Sequence, residues 1–376
     1  MNGTKISYRS AGKIVREKIG KTEGVNLLYN VRQNIPCRLP DDRKWLYRPE
    51  STPQAGSGLK DPARSEIQKE TQEEQSMGTF KITLCQQSVR DRVEDNLKAA
   101  ADAVRAAAAE GADLVVLPEM FVCHFVPLEM SKYAQTMSGS YMEALSRMAA
   151  ENRVWLVGGS FPEKSTIEEE ESCGGGAKTE REVLYNTCPV FSPGGTLAGV
   201  YRKRYLFDVD IPGKVRTCEA VAFEPGKGGS LIVDTGFAKV GVAVCFDIRF
   251  PNLFINMAAA GADVIVVPAA FSAWTGPAHW ELLNRARAVD AQVYVAGTDV
   301  AYREDAPFVS HGCSCICDPW GNVVEQAGKE ETMISAQIDT EVTEKMRRNL
   351  IVLKHQPVTE NVPVAAAVEP AAVPKA

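Results

Sequence analysis

Histidine is scarce in this sequence, with only four among 376 residues. A metal centre built on histidine therefore has few ligands available. Long apolar runs are missing as well. A membrane-spanning helix needs about 18 or more consecutive apolar residues, and even the alanine-rich run at 99–109 contains Asp102 and Arg105. These absences argue against a histidine-based metal protein and against a membrane-spanning or membrane-bound one.

Positive charge is in deficit. The chain carries 42 Lys and Arg residues against 48 Asp and Glu residues, which gives a net charge of −6. Proteins that bind nucleic acids neutralise phosphates with clustered basic side chains, and no stripe of Lys and Arg interleaved with aromatic residues occurs here. We therefore expect no nucleic-acid partner.

Cysteine is present but dispersed. Ten cysteines are spread over the whole chain, without the density of a disulfide scaffold, and no apolar signal-peptide core precedes them. This pattern favours a reducing compartment, and we expect a cytoplasmic protein. The alternative is a mitochondrial location, because the first 22 residues contain six basic side chains against the single acid Glu17.

The two ends of the chain have poor folding patterns. Residues 1–76 show no sustained periodicity, and 49–75 are rich in Ser, Pro, Gly, Gln and Glu, so we predict a poorly structured extension. Met77 stands just before the first predicted strand, 79–85. Residues 356–376 are mostly Pro, Ala and Val, and we expect a flexible tail there. Between them we predict one domain, residues 77–355.

The central block alternates predicted strands and helices, which is typical of an α/β layered fold. Ser88 and Asp91 resemble a capping box that opens a helix, and residues 166–181, with four consecutive glutamates, are expected to form a solvated loop. The block also repeats. Glu-Gly-Ala-Asp-Leu-Val-Val-Leu-Pro-Glu at 110–119 is echoed by Ala-Gly-Ala-Asp-Val-Ile-Val-Val-Pro-Ala at 260–269. We infer two related halves that face each other through one core.

The repeat provides an internal control for Glu119. The second copy has Ala269 at the corresponding place, which shows what the fold alone accepts there. Burying a carboxylate at a strand end costs several kcal/mol unless the group is paired. The comparison therefore favours a functional role for Glu119.

Cys245 ends the apolar run 240–245 and precedes a predicted helix. A strand-to-helix turn presents free N–H groups, which favour thiolate and can hold an oxyanion. The structural alternative is a small buried core cysteine, a common fate of this residue. Acyl transfer by a nucleophile and a base also needs a positive group that stabilises the tetrahedral intermediate. Lys203 is a candidate for this group, although by itself it would be interpreted as a surface lysine.

These residues lie in three motifs that resemble the Glu-Lys-Cys signature of the nitrilase, or carbon–nitrogen hydrolase, superfamily. The motifs are Leu-Pro-Glu-Met at 117–120, Tyr-Arg-Lys at 201–203 and Val-Cys-Phe-Asp-Ile-Arg at 244–249. The segments 206–213 and 275–281 further resemble the omega-amidase branch. In that branch a second glutamate follows the lysine by sixteen residues, a position that Glu219 occupies here.

The resemblance implies a four-layer α-β-β-α sandwich and a role for each motif residue. Cys245 attacks the amide carbonyl, and Glu119 acts as general base and then as general acid. Lys203 and the N–H of Phe246 stabilise the oxyanion, and Glu219 positions the substrate or the lysine. The family uses no metal or organic cofactor, and its members are expected to form homodimers.

Two further residues are expected to bind substrate. Arg249, in the first turn after the nucleophile, would pair with a substrate carboxylate, as a guanidinium fork does well. Its structural alternative is an ion pair with a neighbouring acid such as Asp247. Thr275 opens a segment that carries the branch resemblance, so we also place it among the substrate-binding candidates.

The branch hydrolyses alpha-ketoglutaramate and alpha-ketosuccinamate to the dicarboxylate and ammonia, so we expect a small amide substrate. This sequence differs from the pattern of the omega-amidase branch at two places, and both differences bear on the identity of the substrate. Residues 121–126 read Phe-Val-Cys-His-Phe-Val where the branch usually has Phe-Asn-Ser-Pro-Tyr-Gly, and Tyr205 stands where histidine is common. The alternatives are hydrolysis of another small amide or an N-carbamoyl compound, or a non-catalytic interaction module of the same family.

Overall fold

The computed structural model describes residues 78–170, 178–212 and 215–366. The predicted extension at 1–76, with its basic N-terminal stretch, lies outside this range, as do residues 367–376. The helices are α1 (Val93–Ala109), α2 (Ser140–Asn152), α3 (Pro251–Ala259), α4 (Gly276–Ala291) and α5 (Thr340–Asn349). None of the helices in these ranges has the length and apolar character needed to cross a bilayer.

The strands fall into two large sheets and a short hairpin. The first sheet contains β1 (Thr79–Gln86), β2 (Leu114–Val116), β3 (Trp155–Val157), β4 (Phe161–Glu170), β5 (Lys178–Phe191), β6 (Leu197–Arg202) and β15 (Thr332–Asp339). The second contains β9 (Leu231–Asp234), β10 (Lys239–Val242), β11 (Val264–Ala269), β12 (Tyr294–Asp299), β13 (Cys315–Cys317), β14 (Val323–Gln326) and β16 (Val364–Ala365). β7 (Asp208–Ile211) and β8 (Val215–Cys218) form the hairpin.

Both large sheets have a parallel centre and antiparallel flanks. The order in the first sheet is β15-β1-β2-β3-β5-β4, with β6 also paired to β5, and in the second it is β14-β13-β12-β11-β10-β9-β16. The central strands β1, β2 and β3 are parallel, and so are β10, β11 and β12. Parallel strands are usually buried on both faces, which explains their nearly continuous apolar sequences.

The layers follow from the alternation of side chains along these strands. In β2, Leu114 and Val116 belong to the core that the two sheets share, whereas Val115 packs in a second core with Val104 of α1 and Ala149 of α2. The helices α3 and α4 cover the second sheet, with side chains in the first core. The four-layer α-β-β-α sandwich is therefore confirmed.

The two halves match at the level of single hydrogen bonds. Asp113 in the first Gly-Ala-Asp accepts from the N–H of Lys81 at 2.7 Å, and Asp263 in the second accepts from the N–H of Lys239 at 2.8 Å. The turn glycines before these aspartates, Gly111 and Gly261, both have positive φ values, 84° and 98°. In each half the Asp binds the backbone of the adjacent strand, which gives the repeated motif a structural role.

The predicted capping box at Ser88 is wrong. Helix α1 begins at Val93, and its N-cap residue, Arg92, makes no capping hydrogen bond through its side chain. The preceding segment is held differently, because the side-chain amide of Asn96 bonds both the N–H and the carbonyl oxygen of Arg90, at 2.7 and 2.8 Å. A side chain inside the helix, rather than Ser88, orders the approach to it.

The acidic segment is also not a simple loop. β4 and β5 pair from Phe161 and Thr187 as far as Glu170 and Lys178, so the first three glutamates of the run, 168–170, lie in one arm of a hairpin, and 171–177 fall outside the described range. A ladder of backbone hydrogen bonds does not require apolar side chains. β4 lies at the edge of its sheet, where charged residues discourage pairing with another chain.

Residues 356–366, the described part of the predicted flexible tail, make specific contacts with the rest of the domain. Val364 and Ala365 form β16, which pairs in parallel with β9, and Val362 is buried in the shared core. Glu360 forms an ion pair with Arg204 and accepts a hydrogen bond from the N–H of Ser230. Residues 356–366 therefore pack against the sandwich.

Candidate active site

Cys245 stands where the second sheet gives way to a helix. β10 ends at Val242, and Cys245 opens a short 3-10 helix, Cys245–Arg249, that leads into α3. Its backbone is in the left-handed region, with φ of 47°, a conformation that costs a non-glycine residue about 1–2 kcal/mol. Such strain is most often found at functional sites. The thiol is buried, and its Sγ lies 3.8 Å from the carbonyl oxygen of Ala270.

Glu119 lies just beyond β2 and is fully buried. Its Oε1 accepts hydrogen bonds from Asn186 Nδ2 at 2.8 Å and from Lys203 Nζ at 2.9 Å. Its Oε2 accepts from the N–H of Ala270 at 2.8 Å. A carboxylate oxygen has two lone pairs, so Oε1 is saturated and Oε2 retains capacity to take a proton.

Lys203 lies between two carboxylates. It follows β6, its side chain is fully buried, and Nζ contacts Glu119 and, at 2.8 Å, Oε2 of Glu219. Burial alone would lower the pKa of this ammonium group, but the two carboxylates outweigh burial and hold it well above its usual range. Lys203 therefore remains a cation in a buried site.

Glu219 opens a short 3-10 helix after β8 and is anchored on several sides. It accepts from the N–H of Phe207 at 2.6 Å and from Asn186 Nδ2 at 2.9 Å, besides Lys203. Burial raises the pKa of Glu219, while Lys203 opposes the rise. Asn186 thus joins Glu119 to Glu219, and both carboxylates hold the same lysine.

The thiol of Cys245 is held in its neutral form. Burial, and after it the charge of Glu119, raise the pKa of this thiol well above its usual range, although Lys203 lowers it. The turn alone was expected to favour thiolate, and burial overrides that local effect. A neutral thiol needs a base before it can attack, and Glu119 is the carboxylate at hand. Phe246 lies in the first helical turn, where N–H groups have no acceptor within the helix.

Asp247 connects the cysteine turn to the lysine segment. Its Oδ2 accepts from the N–H of Val244 at 2.9 Å and from the hydroxyl of Tyr201 at 2.8 Å, and its Oδ1 accepts from the N–H of Tyr205 at 3.0 Å. Burial raises the pKa of Asp247 to about 6. Tyr201 and Tyr205 flank Lys203, so one carboxylate fixes Cys245 and Lys203 relative to each other.

Arg249 and Thr275 line a narrow pocket, here called the acid pocket, together with Cys245, Phe246, Phe271 and others. Arg249 is not paired with Asp247. Its Nη1 lies 3.3 Å from His279 Nδ1, its Nε is buried without a partner, and burial lowers its pKa. The hydroxyl of Thr275 is also buried without a partner. Two unsatisfied polar groups in one pocket provide donors for an anionic group of a ligand.

Two of the residues that organise this site were not identified as functional from sequence. Asn186 is a polar residue inside strand β5, and Asp247 lies within a quoted motif but received no catalytic role. The only local signal for Asn186 is a pair of polar residues, Asn186 and Thr187, in an otherwise apolar stretch of the strand. Within the ranges that the structure describes, no group of three or more His, Cys, Asp or Glu side chains could hold a metal ion.

The segment 121–126 and Tyr205, which differ from the omega-amidase pattern, lie at different positions relative to the candidate site. Cys123, His124 and Phe125, from the segment 121–126, line a small cavity that Glu119 also lines. The ring of Tyr205 stacks on Phe250 with a centroid separation of 3.5 Å, outside the hydrogen-bonded cluster around Lys203. The first departure therefore affects the site wall, and the second affects packing beside it.

This fold and this cluster define a class of enzyme. The chain belongs to the carbon–nitrogen hydrolase family, whose sequence pattern matches residues 81–348. Its relatives include omega-amidase NIT2-A of Xenopus laevis, 44% identical over 274 residues, which is 73% of this chain and 94% of the relative. Omega-amidase NIT2 of Homo sapiens is 39% identical over 280 residues, which is 74% of this chain and 96% of the relative.

Solved structures agree with this assignment. The Saccharomyces cerevisiae Nit3 protein, a member of branch 10 of the nitrilase superfamily, superimposes with a TM-score of 0.63 at 32% identity, covering 75% of this chain and 96% of Nit3. The C. elegans NitFhit protein has the same TM-score at 30% identity, covering 74% of this chain and 65% of NitFhit. The expected membership of the nitrilase superfamily is thereby confirmed.

Proposed function

We propose that this chain hydrolyses the terminal amide of a small keto-acid amide, such as alpha-ketoglutaramate or alpha-ketosuccinamate, to the dicarboxylate and ammonia. Its family acts on carbon–nitrogen bonds, and several relatives at about 40% identity are named omega-amidases. The observation that carries the proposal is the buried cluster of Cys245, Glu119 and Lys203, in which a neutral thiol, a base with a free lone pair and a cation meet.

The reaction proceeds through a thioester. Glu119 Oε2 takes the thiol proton, and Sγ of Cys245 attacks the amide carbonyl to form a C–S bond. Lys203 and the N–H of Phe246 stabilise the resulting oxyanion. Glu119 then returns the proton to the nitrogen, the C–N bond breaks and ammonia leaves. Water, deprotonated by Glu119, attacks the thioester and releases the acid and the thiol.

Glu219 supports this chemistry without touching the reacting atoms. Its contacts with Lys203, Asn186 and the N–H of Phe207 orient the ammonium group and keep it charged. A cation between two carboxylates still donates in the direction that neither carboxylate occupies, since an ammonium group has three N–H bonds. That third donor serves the oxyanion.

The acid pocket supports the choice of substrate. Arg249 is half-buried and has no acidic partner among the described residues, and Thr275 has an unused hydroxyl beside it. A substrate carboxylate bound in this pocket would satisfy both groups. The proposal also includes a homodimer, which the resemblance supports, and a cytoplasmic location, which the eight free cysteines of the described residues support.

Replacing Arg249 by Met tests the substrate class. The change keeps the apolar bulk of the stem but leaves a substrate carboxylate unpaired in a closed pocket, a loss of about 2–5 kcal/mol. At about 1.4 kcal/mol per decade, kcat/KM for alpha-ketoglutaramate should fall roughly 30-fold to several-thousand-fold. An uncharged amide such as propionamide should lose far less. Ammonia release from both substrates is the measurement.

The control for Arg249→Met is its melting temperature, which should stay close to that of the wild type. Equal losses for charged and uncharged amides would refute carboxylate binding by Arg249 and remove the main support for a keto-acid amide. No ammonia from any small amide, with a folded protein, would instead favour the non-catalytic interaction module.

A further inference from the structure

A second cavity reaches the site from the side of the base. Glu119 and Ala270 lie on its wall, whereas the acid pocket is lined by Cys245, Arg249 and Thr275. Ala270 lines both, and it is the residue whose N–H binds Glu119 Oε2 and whose carbonyl oxygen faces Sγ of Cys245. The two cavities therefore share a wall residue that contacts both Cys245 and Glu119, and one cavity lies beside each of these two side chains.

The chemistry assigns a different part of the substrate to each cavity. The acyl group becomes bonded to Cys245 and stays on the nucleophile's side. The leaving nitrogen receives its proton from Glu119, so the nitrogen and any group bonded to it face the base. The second cavity is therefore placed to receive a substituent on the amide nitrogen.

The wall of this cavity is mostly apolar, with the buried Ser310 as its polar uncharged exception. Val89, Met120, Phe125, Val300 and Ala301 are all buried, and the partly buried Phe308 closes the wall with its ring 5.2 Å from that of Phe125. Ammonia gains nothing from such a wall, because a polar molecule loses its hydrogen bonds to water there. A small alkyl group gains by leaving water.

The histidine and the arginine at the cavity already have partners. His124 Nε2 lies 3.1 Å from Asp91 Oδ1. Arg303 forms an ion pair with Asp305 at 2.8 Å and donates to the carbonyl oxygen of Val89 at 2.7 Å. Neither side chain is left to bind a charged substituent. The free volume is about 20 Å³, where one water needs about 10–15 Å³, so only a short group fits.

We propose that this cavity, here called the amine cavity, binds a small alkyl group on the amide nitrogen, so that the enzyme also cleaves secondary N-methyl and N-ethyl amides and releases the primary alkylamine. The inference rests on the proposed function for its acyl group. The steps are the same as for the primary amide. The thiol proton passes through Glu119 to the nitrogen, a C–S bond forms, the C–N bond breaks and the alkylamine leaves. Water then hydrolyses the thioester and releases the acid.

The first test compares substrates. The primary, N-methyl, N-ethyl and N-butyl amides of 2-oxoglutaric acid are assayed for release of the keto acid and of ammonia or the amine. We expect kcat/KM for the N-methyl and N-ethyl amides within about tenfold of the primary amide, and at least about a tenfold lower value for N-butyl, since one methylene in a pocket discriminates by roughly 10–200-fold. If the primary amide is hydrolysed and no alkylamine appears, the amine cavity serves only ammonia or water and the inference is refuted.

The second test fills the cavity. Ala301→Val adds two methyl groups to its wall, and Ala336→Val adds the same groups at a buried position of β15 in the shared core, away from the cavity. In the first variant the ratio of kcat/KM for the N-ethyl amide to that for the primary amide should fall about tenfold, and in the second it should not change. An unchanged ratio in folded Ala301→Val would refute the inference.

A third variant covers the case in which Ala301→Val does not fold. Phe308→Leu shortens the wall and should raise the relative kcat/KM for the N-butyl amide, and an unchanged value would refute the inference. Propionamide and N-methylpropionamide are assayed alongside. If the keto-acid amides fail but this pair is cleaved, the proposed substrate is wrong while the amine cavity stands, and if propionamide alone is cleaved, the amine cavity is wrong.

Discussion

Strands β2 and β11 occupy equivalent places in the two halves of the sandwich, yet they end differently. β11 closes with Ala269, which is fully buried among apolar neighbours, whereas β2 leads to Glu119, which is equally buried but accepts three hydrogen bonds. One of the three donors, the N–H of Ala270, comes from the strand end of the other half. The repeat therefore supplies the scaffold, and the chemistry arises where the two copies differ and face each other.

The largest effect should come from Cys245, the proposed nucleophile, which only the second half provides. Cys245→Ala removes the sulfur but suits the same buried turn, so the fold should survive while hydrolysis falls by several orders of magnitude. Ammonia release and the melting temperature are the measurements. Turnover above about a tenth of the wild-type rate would exclude Cys245 as the nucleophile.

Glu119→Gln tests the contribution of the first half. Loss of the proposed base should lower kcat by about 10²–10⁴-fold. The charge of Glu119 raises the pKa of the Cys245 thiol, so its removal should lower that pKa and shift the pH curve of iodoacetamide labelling towards lower pH. Hydrolysis should thus collapse while the thiol ionises more readily. Cys245→Ala measures the labelling of the other cysteines. A shift of the labelling curve towards higher pH would contradict the inference that the charge of Glu119 raises the pKa of the thiol.

Asp247→Asn tests the link between the two catalytic segments. An amide replaces one of two oxygens that together accept three hydrogen bonds, so the cysteine turn and the lysine segment should shift relative to each other. A misplacement of about 1 Å can cost roughly 100-fold in rate. We expect kcat to fall by up to that amount while KM changes less, because the side chain of Asp247 does not itself line the acid pocket. A rise in KM at constant kcat would contradict a positioning role.

The smallest effects, on stability alone, should distinguish two residues that have the same backbone conformation at equivalent helix ends. Arg153 and Gln292 end α2 and α4, and both have φ of 53°. Arg153 is exposed, so Arg153→Gly relieves left-handed strain and should stabilise the protein by up to about 1 kcal/mol. Gln292 is buried and bonds the backbone at Leu350 and Leu353, at 2.7 and 3.0 Å, so Gln292→Gly should destabilise it by about 1–3 kcal/mol.

The unfolding midpoint in urea measures both glycine variants. Hydrolysis by the folded protein should stay at the wild-type level in each, because neither residue contacts the candidate site. If both substitutions stabilised the protein, the hydrogen bonds of Gln292 would have no net value.

The layers and the catalytic candidates could be predicted from the sequence because short continuous segments of the chain carry the patterns that indicate them. Apolar strands, the Gly-Ala-Asp repeat and three motifs needed no knowledge of distant contacts. Asn186 could not be found in this way, since its role arises from two partners 67 and 33 residues away. The neutral state of Cys245 was also hidden, because burial is a property of the assembled fold and it outweighs the local turn.

The packing of residues 356–366 changes where the folding unit ends. The family pattern stops at residue 348, yet Glu360 holds Arg204, the neighbour of Lys203, and Val362 fills part of the shared core. A form shortened at the family boundary would lose strand β16 and the ion pair of Arg204, the neighbour of Lys203. Engineered versions should therefore retain the chain through Val364 and Ala365.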